Sequence, residues 1–253
     1  MTQAVAAIVP AAGIGRRLGG SVSKLFLPLN GRPLLAHTLR VLQASPRIRW
    51  IVLVVRARER TEIARMLARE RVTKAVLCLG GSSRAESVAR GFAVLPAEAR
   101  WVLVHDGARP CLTESLIRRA VAAARQVGAA VCGLPASLTV KKVDGHGRVR
   151  STLDRERLWF AQTPQVFRRD WFARALTRVN GRLERFPDDV SVLEAAGYRV
   201  HVVPGDPLNI KVTTREDLLL AEAILKGRLS GQVTRWPSDR SLAGHRATRP
   251  LGH

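Results

Sequence analysis

The chain has 253 residues, 46% of them hydrophobic, and carries 42 Lys+Arg against 20 Asp+Glu, a formal charge of +22. That length and apolar content can bury a sizeable core, which excludes disorder of the whole chain and fits one large domain with room for a small appendage. The charge does not imply nucleic acid: only Lys24, Lys74, Lys141, Lys142, Lys211 and Lys226 are lysines, and the arginines are spread through nearly every helical segment rather than gathered in one stripe.

The first predicted element is a strand at 4–10, "AVAAIVP", which runs into the basic, glycine-rich loop "PAAGIGRRLGGSVSK" at 10–24. No basic flank precedes this apolar run and Pro10 ends it, so neither a secretory signal nor a membrane span is expected. A helix at 33–44, a strand at 50–55, a helix at 60–70 and a strand at 75–80 follow, and "GGSSRAES" then opens a helix at 84–95. A strand at 101–105 leads through "HDGARP" to a helix at 113–127, with Thr113 and Glu114 at its start, and then to a strand at 129–135. Short apolar runs alternating with amphipathic stretches predict an α/β fold: a mostly parallel twisted sheet with helices on both faces, Rossmann-like.

After Pro135 the rhythm breaks. Alternating residues around "DGHG" predict a hairpin, so 136–160 is read as a β-arm projecting from the sheet. Helices near 169–179 and 188–196, a strand at 198–205, the segment "NIKVT" at 209–213 and a helix at 214–227 complete the periodic part. Residues 228–253 have no periodicity and many turn formers, and a disordered tail is expected there. Cys78, Cys111 and Cys132 are too few and too widely spaced for a disulfide framework or a zinc site, and read as thiols of a reducing, cytoplasmic compartment.

Ligands of open α/β sheets sit beyond the carboxyl ends of the strands, which directs attention to three loops. The first is neither a P-loop nor a G-x-G-x-x-G turn, yet Gly13 and Gly15 let backbone N–H groups approach a polyphosphate, with Arg16, Arg17 and Lys24 as cations or as plain surface residues. In the second, Gly80 and Gly81 permit close approach, while Ser82, Ser83 and Ser87 can hydrogen-bond a base or cap the helix. In the third, Asp106 stands at the end of a buried strand, where it can meet a divalent cation or cap a turn, and His105 beside it reads as packed. His37, among apolar residues of a helix, is likewise structural. No general base is evident, which suits an attacking phosphate: its second pKa of about 6 leaves it anionic near neutrality. The remaining work is charge neutralisation and in-line alignment.

In order, "PAAGIGRRLGGSVSK", "PLLAHTL", "GGSSRAESV", "VHDGARP", "LWFAQTPQVF" and "NIKVTTREDL" resemble the blocks of the 2-C-methyl-D-erythritol 4-phosphate cytidylyltransferase family across residues 5 to about 226. The resemblance implies a nucleotidyltransferase fold over 1–227 and the transfer of CMP from CTP to methylerythritol phosphate, with Mg²⁺ as cofactor and pyrophosphate as leaving group. It assigns transition-state stabilisation to Arg17 and Lys24, and acceptor positioning to Arg155, Lys211 and Thr139. Ala11, Ala12, Gly13, Gly15, Gly81, Ser82 and Ser87 match nucleotide-binding positions, and Asp106 matches the aspartate near ribose and metal. A homodimer embraced by the arm is implied, with no nucleic acid or membrane partner.

Four positions depart from the family pattern. Ser23 and Leu25 flank the loop lysine where proline and glutamine are usual, Ser82 stands where an acid is frequent, and Pro187 replaces a threonine before two acids. A more mobile glycine loop and a lost acceptor-side hydroxyl are the corresponding expectations. The rival readings are a cytidylyltransferase for another sugar-alcohol phosphate, such as ribitol 5-phosphate, and a catalytically silent basic binding protein.

Overall fold

Strand β1 (Val5–Pro10) shows why the centre is two-sided: Val5, Ala7 and Val9 join one apolar cluster, and Ala6 and Ile8 the other. A strand buried on both faces has no place for alternating polar residues, and "VAAIVP" has none. The computed structural model describes residues 4–13, 23–179 and 183–229.

On either side of β1 lie β4 (Ile48–Val55) and β6 (Trp101–Val104), both parallel to it, and β5 (Ala75–Leu79) runs parallel beyond β4. The far side holds β7 (Ala129–Pro135), β10 (Trp159–Arg168) and β11 (His201–Pro204), giving the order β11-β7-β10-β6-β1-β4-β5. β10 pairs antiparallel with both β6 and β7, and every other strand points the same way. The mostly parallel sheet therefore stands as expected. β10 was not foreseen as a strand, because its apolar run is interrupted by Gln162, Thr163 and Gln165, all buried here. The ladder itself shifts register between Ala161 and Gln165.

Helices α1 (Leu34–Ala44), α2 (Arg60–Arg69), α4 (Glu114–Val127) and α7 (Arg215–Leu229) cover one face. Helices α3 (Arg84–Ala93), α5 (Arg169–Arg178) and α6 (Asp189–Ala195) cover the other. α4 is typical of how the sequence specifies them: Thr113 accepts the Leu116 N–H at its start, Gly128 ends it at φ 97°, and Leu116, Ile117, Ala120, Val121 and Ala124 form its buried stripe. Each fully buried leucine or isoleucine contributes about 1.5–3 kcal/mol. Among the described residues no helix is long and apolar enough to cross a membrane.

Two small hairpins complete the fold. β2 (Pro28–Leu29) and β3 (Arg32–Pro33) pair beside α1. β8 (Val140–Val143) and β9 (Val149–Leu153) form the core of the arm, closed where Asp144 accepts the N–H groups of His146 and Arg148 and Gly147 sits at φ 78°. The arm leaves the sheet between the end of β7 and the start of β10, hence from the edge where the parallel strands end. Trp159 and Phe160, placed in the arm by the sequence pattern, already belong to β10. The segment 209–213 is irregular, not a strand, and the expected tail at 230–253 lies outside the described residues.

Candidate active site

A cavity of about 690 Å³ opens at the carboxyl edge of the sheet, lined from four directions. Pro10, Ala11, Ala12 and Gly13 come from the end of β1; Arg56 from β4; Gly81, Ser82, Ser83, Arg84 and Ser87 from the loop into α3. Asp106 and Ala108 follow β6, and Lys24, Leu25, Lys211 and Thr213 close the remaining side.

The first two loops are set by contact between backbones. The Ala11 N–H donates to the Val54 carbonyl at 2.8 Å and the Gly80 N–H to the Val55 carbonyl at 2.9 Å, so both loops are extensions of the ladder on β4. A Cβ on Gly80 would stand 2.4 Å from the Ala12 Cβ and 3.1 Å from the Ser87 Oγ, so only glycine fits that approach. The Ser87 hydroxyl accepts the Gly81 N–H and donates to the Ser83 carbonyl, holding the loop's curve. Ser83 is the residue that caps α3, accepting the Glu86 N–H. Ser82 turns instead to Glu86, whose carboxylate accepts both its N–H and its hydroxyl; these bonds, with Arg90, hold the Glu86 carboxyl down to about 2.

Asp106 is the one carboxylate among the lining residues. Burial alone would raise its pKa, but Arg84, Lys211 and Arg109 drive it well below the usual carboxylate range. Arg84 Nε lies 3.1 Å from one oxygen; Lys211 Nζ at 2.8 Å and Arg109 Nε at 3.6 Å share the other. Arg84 also forms two parallel bonds to Asp189 at the start of α6, at 3.1 and 2.9 Å, and so ties α3, α6 and the loop after β6 together through one guanidinium. Asp188, beside it, caps α6. The irregular segment 209–213 is fixed to the β6 loop: the Val212 N–H donates to the Ala108 carbonyl and Arg109 Nη1 to the Asn209 carbonyl. It thereby delivers Lys211 to Asp106. Lys24 reaches the same place, its Nζ donating to the Val212 carbonyl at 2.9 Å.

The histidines are structural, as expected. His105 is buried, with Nδ1 3.0 Å from the Thr163 hydroxyl and Nε2 3.3 Å from the Arg109 carbonyl. The Arg109 carbonyl can only accept, so Nε2 carries the proton, and in the neutral ring Nδ1 accepts from the Thr163 hydroxyl, which itself accepts the Asp106 N–H. Burial lowers the His105 pKa to about 4, in keeping with that neutral ring. His37 is anchored at the Leu29 carbonyl. The thiols of Cys111 and Cys132 are pushed up to about 11 and about 12 by burial.

Ten of the residues singled out in the sequence thus meet at one cavity: Ala11, Ala12, Gly13, Lys24, Gly81, Ser82, Ser83, Ser87, Asp106 and Lys211. Gly15, Arg16 and Arg17 lie outside the described residues. Arg155 and Thr139 are exposed on the arm and do not line the cavity of their own chain; Arg155 Nη1 donates to the Ser137 carbonyl at 2.8 Å. Sequence reasoning missed Arg56, Arg84, Arg109 and Thr163. Arg84 and Arg109 stand inside the quoted blocks "GGSSRAESV" and "VHDGARP", so position at a strand end was the available signal.

Among the described residues no group of three His, Cys, Asp or Glu side chains could hold a metal. Asp106 alone, ringed by three cations, is too poor a donor set for a resident Mg²⁺; it fits one held mainly by phosphate oxygens, with Asp106 as one further ligand.

A sequence-family model for 2-C-methyl-D-erythritol 4-phosphate cytidylyltransferase matches residues 5–227. The chain belongs to this family. Its similarity to the enzyme of that name from Desulforamulus reducens is 39% identity over 226 residues, covering 88% of this chain and 97% of the relative. The corresponding enzyme of Syntrophotalea carbinolica is 44% identical, with 86% and 94% covered. Among solved structures, 4-diphosphocytidyl-2C-methyl-D-erythritol synthase from Anaerococcus prevotii superposes with a TM-score of 0.79 at 28% identity, over 89% of this chain and all of that one. The family match spans the sheet, the arm and α7, so the cavity belongs to the family's shared part rather than to an added segment.

Proposed function

We propose that this chain transfers CMP from CTP to 2-C-methyl-D-erythritol 4-phosphate. An oxygen of the acceptor phosphate forms a bond to the α-phosphorus, the bond from that phosphorus to the α–β bridging oxygen breaks, and pyrophosphate leaves, giving 4-diphosphocytidyl-2-C-methyl-D-erythritol. The observation that carries this reading is the meeting of Lys24 and Lys211 in one cavity that Gly13, Gly81, Ser82, Ser83 and Ser87 also line, with Lys24 bonded to the residue next to Lys211. Two anions must be brought together there, and cations from separate segments overcome their repulsion and stabilise charge growing on the non-bridging oxygens.

In this reading the base rests against Ala11, Ala12, Gly13, Gly81, Ser82 and Ser87. Lys24 and Arg17 stabilise the pentavalent centre, with Gly15 opening the loop backbone to phosphates, and Lys211, Arg155 and Thr139 orient the acceptor. Lys211, 41% exposed at its side chain, can exchange its bond to Asp106 for the acceptor phosphate, and Arg84 and Arg109 keep Asp106 ionised when it does. No residue need remove a proton, since the attacking phosphate is already anionic. His105, sealed beneath the loop as a neutral ring, takes no part. Mg²⁺, carried by the triphosphate with Asp106 beside it, would supply further neutralisation of the leaving pyrophosphate.

A homodimer through the arm is part of the same reading. Leu138, Val143, Val149 and Leu153 are exposed there, an apolar surface that a second copy would cover. Free Cys111 and Cys132 suit a reducing, cytoplasmic setting.

The test is pyrophosphate release by the purified chain with CTP, Mg²⁺ and either methylerythritol phosphate or ribitol 5-phosphate. Release dependent on methylerythritol phosphate is expected; release only with ribitol 5-phosphate would reassign the acceptor, and release with neither would overturn the reading.

A further inference from the structure

Arg56 is a cavity residue for which the reaction outlined above has no use. It follows the last residue of β4, and β4 lies between β1 and β5. The two loops proposed to cradle the base are both hydrogen-bonded to the end of this strand, Ala11 to Val54 and Gly80 to Val55. Arg56 therefore enters the cavity at the junction of those loops, on a different strand from β6, which leads to Asp106, and apart from the segment 209–213 that carries Lys211.

Its guanidinium is fixed. Nε donates to Glu59 Oε2 at 2.9 Å and Nη2 to Glu59 Oε1, a fork-to-fork pair with side chains only 14% and 7% exposed. Glu59 is presented by a single 3₁₀ turn, residues 57–59, whose Glu59 N–H returns to the Arg56 carbonyl at 3.0 Å. Within "RARE", Arg56 and Glu59 thus build a locked donor pair with no net charge of its own. A neutral pair adds little to the attraction of a triphosphate, which Lys24 already supplies. What it offers is direction: Glu59 takes two of the five guanidinium N–H groups, and three remain.

Cytosine presents two acceptors side by side, O2 and N3, where uracil carries a hydrogen on N3. We propose that Arg56 reads the base, donating to the O2/N3 edge of the cytosine of CTP, and that Glu59 is its positioning residue. The proposal rests on the cytidylyl-transfer reading and adds to it a side chain that distinguishes CTP from UTP.

Steady-state kinetics of the full chain with CTP, with UTP and with the acceptor test it. Arg56→Ala is expected to raise KM for CTP about tenfold or more, the scale of one lost bidentate base contact, and to lower the preference for CTP over UTP. KM for the acceptor is expected to stay within about twofold. Glu59→Gln keeps the arginine but loosens the fork, so a smaller change in the same direction is expected. Because alanine leaves Glu59 buried without its partner, the paired variant Arg56→Met with Glu59→Gln keeps the site neutral and filled, and Arg56→Lys keeps a cation beside Glu59; both are expected to lose the CTP preference. If a folded variant loses thermal stability alone, with KM for CTP and the CTP:UTP preference unchanged, Arg56 is only a strut and the proposal falls. Absence of turnover by the unaltered chain with every acceptor would overturn the transfer reading and this one together.

Discussion

The cavity and the arm leave the same edge of the sheet, but they are held in different ways. In the cavity every described cation has a partner: Arg84 and Lys211 are held at Asp106 and Lys24 at the Val212 carbonyl, while Arg56 is locked on Glu59. On the arm all five residues of β9 are exposed, and Arg155 donates to the Ser137 carbonyl on the segment that leads into the arm. One region is organised by its own chain; the other presents cations and apolar side chains outward. Variants of Lys24 should therefore change chemistry at fixed acceptor affinity, and arm variants the reverse.

The largest effect expected is at Lys24. Lys24→Ala should lower kcat by ~10²-fold or more, the usual consequence of removing one preorganised charge-stabilising donor. The bond lost to Val212 accounts for about 1 kcal/mol of stability, so a melting curve measured alongside separates the two roles. Near-normal turnover would break the distinction between the regions, because it would leave the cavity without its main cation.

Arg155→Ala should act differently. A charge-assisted contact to phosphate is worth about 1.5–3 kcal/mol, so KM for the acceptor should rise roughly 10- to 100-fold with KM for CTP unchanged. Equal changes in both constants would move Arg155 to the nucleotide side and erase the contrast.

The strand-end loops were legible from the sequence because the parallel strands, from buried β1 and β6 to edge strand β5, are continuous apolar runs with glycine or aspartate soon after their ends, as at Gly13, Gly80 and Asp106. The arm was legible for a similar reason, the turn signal "DGHG" standing between alternating runs. What joins the loops was not. Arg84 meets Asp189 across 105 positions, and Lys24 meets Val212 across 188. Pairings over such separations leave no local pattern. β10 escaped because its polar residues point into the protein: Gln165 receives the N–H groups of Asp189 and Val190, and Thr163 that of Asp106, so what looks like a broken apolar run is a strand that binds other segments.

The smallest expected effect concerns Ser23. Its backbone stands at φ −61° and ψ 133°, so the chain already holds the φ that a proline would impose just before Lys24. The expectation that serine makes the loop more mobile is therefore a statement about the alternatives open to the chain, not about the conformation it adopts. Ser23→Pro removes those alternatives from the unfolded ensemble and should add about 0.4–1 kcal/mol of stability, read as a rise in the urea midpoint at constant m. If the proline also fixes the entry to the 3₁₀ turn at Lys24–Phe26, kcat should rise slightly or stay level. A destabilised variant would mean that the Ser23 N–H or the residue before it needs what proline takes away, and the preorganisation of Lys24 would then rest on its bond to Val212 alone.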